Sequence, residues 1–384
     1  MPSNASNGRP QVIGLGVSMN FQTHGAGIAQ SDMDADEFFT RFASNSTPDR
    51  YLFGINEFSV RVANEIAVDG FIDDYTDEKN FMGKPVLRLG EVPKSAWVVS
   101  CITNARPKTA MQRLKAQGIE KCLDYFAFSR ASQGRIRPIP AIEDTGTDHR
   151  QNPEKYAWVR SILADDESRR VYDDVLSFRL LNNLDSMERF DYAAEKQYFE
   201  GFFDFAGDEV FVDGGGYDGF TSQEFAKRCP HYSKIHFFEP VESAMLTAKD
   251  KLKGLDNIVY HSVGLYDRKT TLSFDASAGS ASRISDEGTL KIDVDRLDDV
   301  VKDRVTFIKL DLEGVEVQAL HGMQRRIVED APKLAVAVYH HPSDFWRVPQ
   351  YILGLRSDYA VYLRHYTESW TETVAYFIPR SAPV

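Results

Sequence analysis

The sequence predicts an α/β protein of two tandem units, each built on a parallel sheet, the second larger and finished at one edge by reversed strands. Three observations lead there. From residue 50 onward, short runs rich in Val, Ile and Phe alternate with stretches whose apolar residues recur every three to four positions, the pattern of strands joined by helical crossovers. Two strand-to-helix junctions carry glycine turns, one at Gly54 and one across 214–219. The last two strand-like runs, 359–365 and 374–379, are separated by about eight residues. That is too short for a parallel crossover, so they should pair antiparallel at the sheet edge.

Taken in order, residues 1–48 are rich in Ser, Asn, Gly and Asp, with one apolar run at 12–17, and read as a loosely ordered arm. Residues 49–128 read as a small α/β unit. YLFGINEFSVRVANEI supplies a strand, a glycine turn and a helix, and GFIDDY a second strand ending in acids; GKPV, WVVSCI, a helix over 108–117 and a short strand near 122–126 follow. Residues 129–195 are expected to be a linker and a helical segment. RASQGRIRPIPAIEDTGTDHR carries proline, glycine and charge without periodicity, and EKYAWVRSILADDESRRVYDDVLSFRLL is strongly helical. Residues 196–384 hold the larger unit: strand EVFVD, loop GGGYDG, helix FTSQEFAKRC, strand KIHFFE, helix VESAMLTAKDKLK, then strand-like NIVYHSV, TTLSFD, LKIDV and VTFIKL. A helix EVQALHGMQRRIVE, a strand KLAVAVY and a helix from about residue 343 complete it.

Composition bounds the function. The chain has 384 residues, 42% hydrophobic and 27% charged, ordinary for a globular protein and enough for two to three domains. A net charge of −12 disfavours non-specific attraction to nucleic acid or to an anionic membrane. Cys101, Cys122 and Cys229 are odd in number and lack metal-ligand spacing, which fits a reducing compartment. No basic start precedes an apolar core, and no run approaches the roughly 18–20 apolar residues of a membrane span. The expectation is a cytoplasmic protein acting on a small molecule or glycan, without nucleic-acid or membrane partners, with homo-oligomerisation left open.

The chemistry concentrates at FVDGGGYDGF, which places Asp213 at a strand end and Gly214, Gly215, Gly216, Tyr217 and Gly219 in the turn before a helix. Doubly wound sheets bind ligands just beyond strand ends, where glycine lets a ligand approach the backbone. A pyrophosphate would be repelled by Asp213 and Asp218, whereas a cationic sulfonium would be welcomed, so the charge pattern favours S-adenosylmethionine over a dinucleotide. Glu239, followed by Pro240, ends the next strand 26 positions later, where a carboxylate can hold both ribose hydroxyls. Asp267 could reach an adenine or be a simple turn acid.

Asp311, at the end of VTFIKLDLEG, should face the reacting centre both as a cofactor contact and as a catalytic acid or base, with Glu313 just beyond on the substrate side. His340 and His341 follow the strand KLAVAVY and are candidate bases, since imidazole titrates near neutrality; His340 is also a candidate substrate contact. His365 in LRHY could close the same pocket. Trp346 is a candidate substrate contact, and the acceptor would be selected by loops around 277–288 and by Phe345 and Trp346. A divalent metal on Asp311, Glu313 and a histidine is chemically conceivable, although no spacing requires it.

VDGGGYDGFTS, FFEP, IKLDLEGVEVQALHG and VYHHPSDFWRVPQYI, followed by YLRHY and ETVAYF, resemble the FkbM family of methyltransferases over about residues 198–379. The resemblance implies a class I methyltransferase fold, a Rossmann-like doubly wound sheet with an antiparallel edge strand. It also implies S-adenosylmethionine-dependent O-methylation of a hydroxyl on a sugar, glycan or glycosylated natural product.

The first unit is Rossmann-like with an incomplete signature. FGINEFS keeps Gly54 but has Asn56 and Ser59 where further glycines would admit a pyrophosphate. Asp73 and Asp74 could hold a ribose, which keeps two alternatives in view: a nicotinamide-dependent sugar-modifying oxidoreductase, and a non-catalytic nucleotide-binding or scaffold protein.

Overall fold

The computed structural model describes residues 34–205, 207–275, 283–284 and 290–380. The apolar run at 12–17 and most of the loop expected at 277–288 lie outside the described residues. Two sheets organise the chain. The first has six strands in the order 80–81, 84–87, 70–72, 50–53, 97–100, 122–124, parallel except for the short antiparallel pairing of 80–81 with 84–87. The second has seven, in the order 359–365, 373–379, 333–337, 307–310, 210–214, 234–238, 258–261. Its five strands from 333–337 to 258–261 are parallel. Thr373–Pro379 enters antiparallel beside Lys333–Ala337 and pairs antiparallel with Tyr359–His365, as the short connection between the last two runs requires.

The central strands are buried along nearly their whole length, because a parallel sheet with helices on both faces leaves no face for water. Phe211, Phe225 and Phe307 fill one side of the larger sheet with ring centroids 4.4–6.1 Å apart. Asp213 lies at the end of the strand Val210–Gly214, and Glu239, Asp311 and His340 follow the ends of theirs, all toward one edge.

Four expectations are corrected. Part of the loose arm is the helix Ala35–Phe42, whose Phe38 and Phe42 are fully buried against Trp97 and Phe128 of the first unit. The stretch read as a linker is mostly helical, Tyr125–Ala131 and Pro140–Gln151; Pro140 sits in the first turn, where its missing N–H costs nothing, so proline marked a helix start rather than a break. LKIDV leaves the main sheet and forms, with 264–265, 270–275 and 283–284, a separate four-stranded sheet. The helix expected at 316–329 is two, Glu316–His321 and Gln324–Asp330. Gly322 lies between them, and a Cβ there would come within 1.9 Å of the Tyr266 carbonyl oxygen.

The helices Pro140–Gln151, Pro153–Ile162 and Asp166–Leu181 join the two units through one continuous apolar cluster running from Phe38 to Phe377. Arg179 is fully buried within it. Its guanidinium donates to the carbonyls of Tyr339 (3.2 Å) and Trp370 (2.9 Å) and lies 4.8 Å from the Phe345 ring centroid. Burial draws its pKa down to about 10, so it remains a cation that ties two segments of the larger unit together.

Candidate active site

A cavity of about 500 Å³ opens at the carboxyl edge of the larger sheet, a size suited to a small-molecule ligand. Gly215, Tyr217, Glu239 and Pro240 line one side; Val241, Gly264, Leu265, Ile292 and Val294 form an apolar wall; Asp311, Glu313, Tyr339 and Glu372 close the other end. Tyr217, Glu313, Glu372 and the supporting Tyr198 all have positive φ without being glycine. Such left-handed residues persist only where the surroundings hold them, and they gather at functional sites.

The glycine turn works by close approach. A Cβ on Gly215, whose φ is +73°, would stand 2.0 Å from the Asp311 carbonyl oxygen, so glycine lets two strand ends meet. A Cβ on Gly216 would strike the Phe237 ring at 2.1 Å. Gly214, Gly216 and Gly219 pack behind the turn rather than facing the cavity.

The charge argument for the loop acids is overturned in its details. Asp213 is fully buried, accepts a 2.7 Å hydrogen bond from Ser222 and lies 3.3 Å from the Lys309 ammonium. Lys309 also donates to the carbonyls of Gly214 and Gly215. Asp218 is paired with Lys251 and accepts from the Phe220 amide. Lysines thus offset both loop acids. Asp213 organises the turn from behind and does not face the cavity, although Asp218 does. The negative charge facing the ligand comes instead from Glu239, Asp311, Glu313 and Glu372.

Glu239 accepts from the Tyr217 amide (3.0 Å) and the Val241 amide (2.8 Å), clamping the turn. Burial raises its pKa, and the two amides oppose that rise. Each oxygen keeps acceptor capacity for a ribose hydroxyl. Asp267 does not line the cavity; the nearby floor is Gly264 and Leu265.

Asp311 accepts from the Tyr198 hydroxyl (2.7 Å) and the Tyr339 hydroxyl (3.2 Å). Glu372 accepts from Tyr339 (3.4 Å) and from the Gln197 amide (2.5 Å). Burial raises Glu372 to about 7, with the Asp311 charge adding to it. Burial also raises Glu313 to about 7, opposed by His340 and reinforced by Asp311 and Glu316. Two carboxyls on the cavity wall therefore titrate near neutrality, where a general base works best.

The histidines divide. Burial would lower the His340 pKa, but Glu316, Glu313 and Asp311 around it raise it well above the ordinary value. An imidazolium has no lone pair with which to take a proton, which argues against His340 as the base. His341 is exposed, lies against Gly314 and is absent from the cavity lining. His365 does not close the pocket: it is enclosed between Thr373, whose hydroxyl is 2.9 Å from its Nδ1, and the Phe190 ring, and burial lowers it to about 3. Trp346 is not in the cavity lining; it donates to Asp148 at 2.9 Å under the Lys155 ammonium and so fastens helices.

Sequence reading missed Glu372, Tyr339, Tyr198, Gln197 and Lys309. Glu372 and Tyr339 stood inside or beside the quoted blocks ETVAYF and VYHHP, and their adjacency to strand ends was the available signal. Lys309 becomes recognisable only through strand pairing, which sets it opposite Asp213.

Among the described residues, the glycine turn of the first sheet is packed rather than open. Asn56 caps the helix Glu57–Glu65 and donates to the Cys101 carbonyl, and a Cβ on Gly54 would meet Ile102 at 2.4 Å. Asp73 accepts from the amides of Ile55, Tyr75 and Thr76, while Asp74 accepts from the Leu89 amide and pairs with Arg113. Both acids proposed for a ribose are committed within the protein.

Residues 213–368 match the model of the methyltransferase FkbM domain. The chain is similar to the crystal structure of a methyltransferase FkbM from Methylobacillus flagellatus KT, with 24% identity and a TM-score of 0.69 over 89% of this chain and 92% of that one. It is also similar, more weakly, to an rRNA methylase from Streptococcus thermophilus (16% identity, TM-score 0.32, 46% of this chain and 89% of that one) and to fibrillarin from Aeropyrum pernix in complex with S-adenosyl-L-methionine (13%, 0.31, 46% and 70%). No curated protein matches the chain. Among the described residues no helix is long and apolar enough to cross a membrane. The strand order with its reversed edge, the cavity beyond the glycine turn and the structural likeness agree on a class I methyltransferase fold, within which residues 213–368 match the methyltransferase FkbM domain.

Proposed function

We propose that the protein is an S-adenosylmethionine-dependent O-methyltransferase acting on a hydroxyl of a sugar, glycan or glycosylated small molecule in the cytoplasm. The observation that carries this reading is the cavity's division of labour. Glu239 stands at one end for a ribose, an apolar wall of Leu265, Ile292 and Val294 suits an adenine, and Asp311, Glu313 and Glu372 gather where a sulfonium and a hydroxyl would meet. A cationic methyl donor is stabilised by those carboxylates, and in-line transfer from sulfur to oxygen depends on positioning and exclusion of water. Glu372, held by Gln197 and Tyr339, is the proton acceptor we assign for the hydroxyl. The absence of Asp213 from the cavity leaves this reading intact, because the charge it was to supply comes from other residues.

The test is incubation of the full chain with S-adenosylmethionine and a panel of glycosides, followed by mass spectrometry. One methyl increment on a hydroxyl supports the reading. Transfer confined to amines or carboxylates, or saturable binding of a nicotinamide dinucleotide in place of S-adenosylmethionine, overturns it.

A further inference from the structure

Asp311 follows the strand Phe307–Leu310, Glu316 begins the short helix Glu316–His321, and His340 follows the strand Lys333–Ala337. The fold brings these three to one point: one ligand atom from each lies within 4.8 Å of the others. His340 Nδ1 stands 3.0 Å from Glu316 Oε1, and its Nε2 stands 3.5 Å from Asp311 Oδ1 and 3.3 Å from Glu313 Oε2.

The bonding within the cluster is incomplete. The Glu316 side chain is fully buried; its Oε1 accepts from the Leu312 amide, while its Oε2 has no hydrogen-bond partner. The His340 side chain is 9% exposed, and neither ring nitrogen forms an aligned hydrogen bond despite the short separations. A buried carboxylate oxygen and two buried ring nitrogens without aligned partners are costly. Three carboxylates converging on one imidazole also leave negative charge uncompensated at close range.

We propose that Asp311, Glu316 and His340 form a binding site for one divalent transition-metal cation such as Mn2+. Two carboxylates and an imidazole are a donor set for Mn2+, Fe2+ or Zn2+ more than for Mg2+, which takes oxygen ligands. Metal bonds of roughly 2.1 Å set neighbouring ligand atoms about 3 Å apart, so the three ligand atoms, now within 4.8 Å of one another, draw together through small side-chain rotations as the cation binds. An imidazole must be neutral to ligate, so the cation replaces the His340 proton and the cluster keeps a positive centre. Asp311 also lines the cavity, so a cation held by it would lie beside the space for an acceptor hydroxyl and could polarise it. That role rests on the methyl-transfer reading; the existence of the site does not.

The test uses the full chain, stripped with a chelator and titrated with Mn2+ without S-adenosylmethionine or acceptor, so a failure of the methyl-transfer reading does not affect it. Loss of the free aquo-Mn2+ resonance should report one equivalent bound, and pulsed electron paramagnetic resonance should detect one coupled imidazole nitrogen. Glu316→Gln, which keeps an acceptor for the Leu312 amide, and His340→Gln should each weaken binding at least tenfold, whereas His341→Gln should leave it unchanged. Absence of stoichiometric binding, affinity unaltered in both folded variants, or bound Mn2+ without nitrogen coupling overturns the site. If a variant fails to fold by circular dichroism, the nitrogen coupling of the unsubstituted protein decides.

Discussion

The two parallel sheets begin alike and end differently. In each, the strand earliest in the chain, 50–53 or 210–214, runs into a turn containing a glycine with positive φ and then a helix, Gly54 in one and Gly215 with Gly219 in the other. Beyond the first turn the space is filled by Ile102 and crossed by the hydrogen bond from Asn56 to Cys101. Beyond the second it opens into about 500 Å³ walled by carboxylates. A strand–glycine–helix opening therefore specifies backbone geometry and no ligand. The ligand depends on side chains that distant strands bring to the same edge.

This contrast can be broken by measurement. The largest effect is expected at the open edge: Glu372→Gln should lower kcat about 100- to 10,000-fold while leaving the S-adenosylmethionine Kd within a factor of about two. Asp74→Asn at the closed edge should leave both unchanged, and a comparable loss of activity there would erase the distinction. Next, Gly215→Ala forces a Cβ onto the Asp311 carbonyl at positive φ, so it should cost more than about 3 kcal/mol in denaturant unfolding and abolish cofactor binding. Gly54→Ala meets the movable end of Ile102 and should cost about 1–2 kcal/mol with cofactor binding intact.

Glu239→Gln removes a charged acceptor and should weaken S-adenosylmethionine binding by about 1.5–3 kcal/mol in calorimetry, whereas Asp73→Asn should not alter it. The smallest effect concerns His365, whose folded pKa of about 3 lies below the ordinary value near 6.5. Between those values the unfolded chain binds a proton that the native state refuses, so stability should fall as pH drops from about 6.5 toward 3. The slope should reach at most roughly 1.4 kcal/mol per pH unit. A His365→Gln variant should flatten that part of the profile; an unchanged slope would show that the ring titrates freely and belongs to an accessible site.

What the sequence disclosed follows from period and punctuation. Alternating runs located the strands of the larger sheet, and the short gap before 374–379 fixed the reversed edge, because chain length alone forbids the alternative. Strand ends gave the positions of Glu239, Asp311 and His340, since each follows directly on an apolar run. Three things stayed hidden. Register set Lys309 beside Asp213 and so removed that acid from the ligand-facing surface. The charge on His340 depends on three carboxylates meeting in space. The helix Pro140–Gln151 was concealed because Pro and Gly were read as breakers where tertiary burial of Ala141, Ile142 and Thr145 decides.

Arg179, Gln197 and Tyr198 all precede residue 213, and Glu372 follows residue 368, so the recognisable domain omits groups that shape its own cavity. A fragment trimmed to that domain would lose the guanidinium that grips Tyr339 and Trp370, the amide on Glu372 and the phenol on Asp311. The helical middle of the chain is thus part of the body that shapes the cavity, and the smallest piece able to retain the pocket must begin at or before the helix Asp166–Leu181 and extend through the final strand.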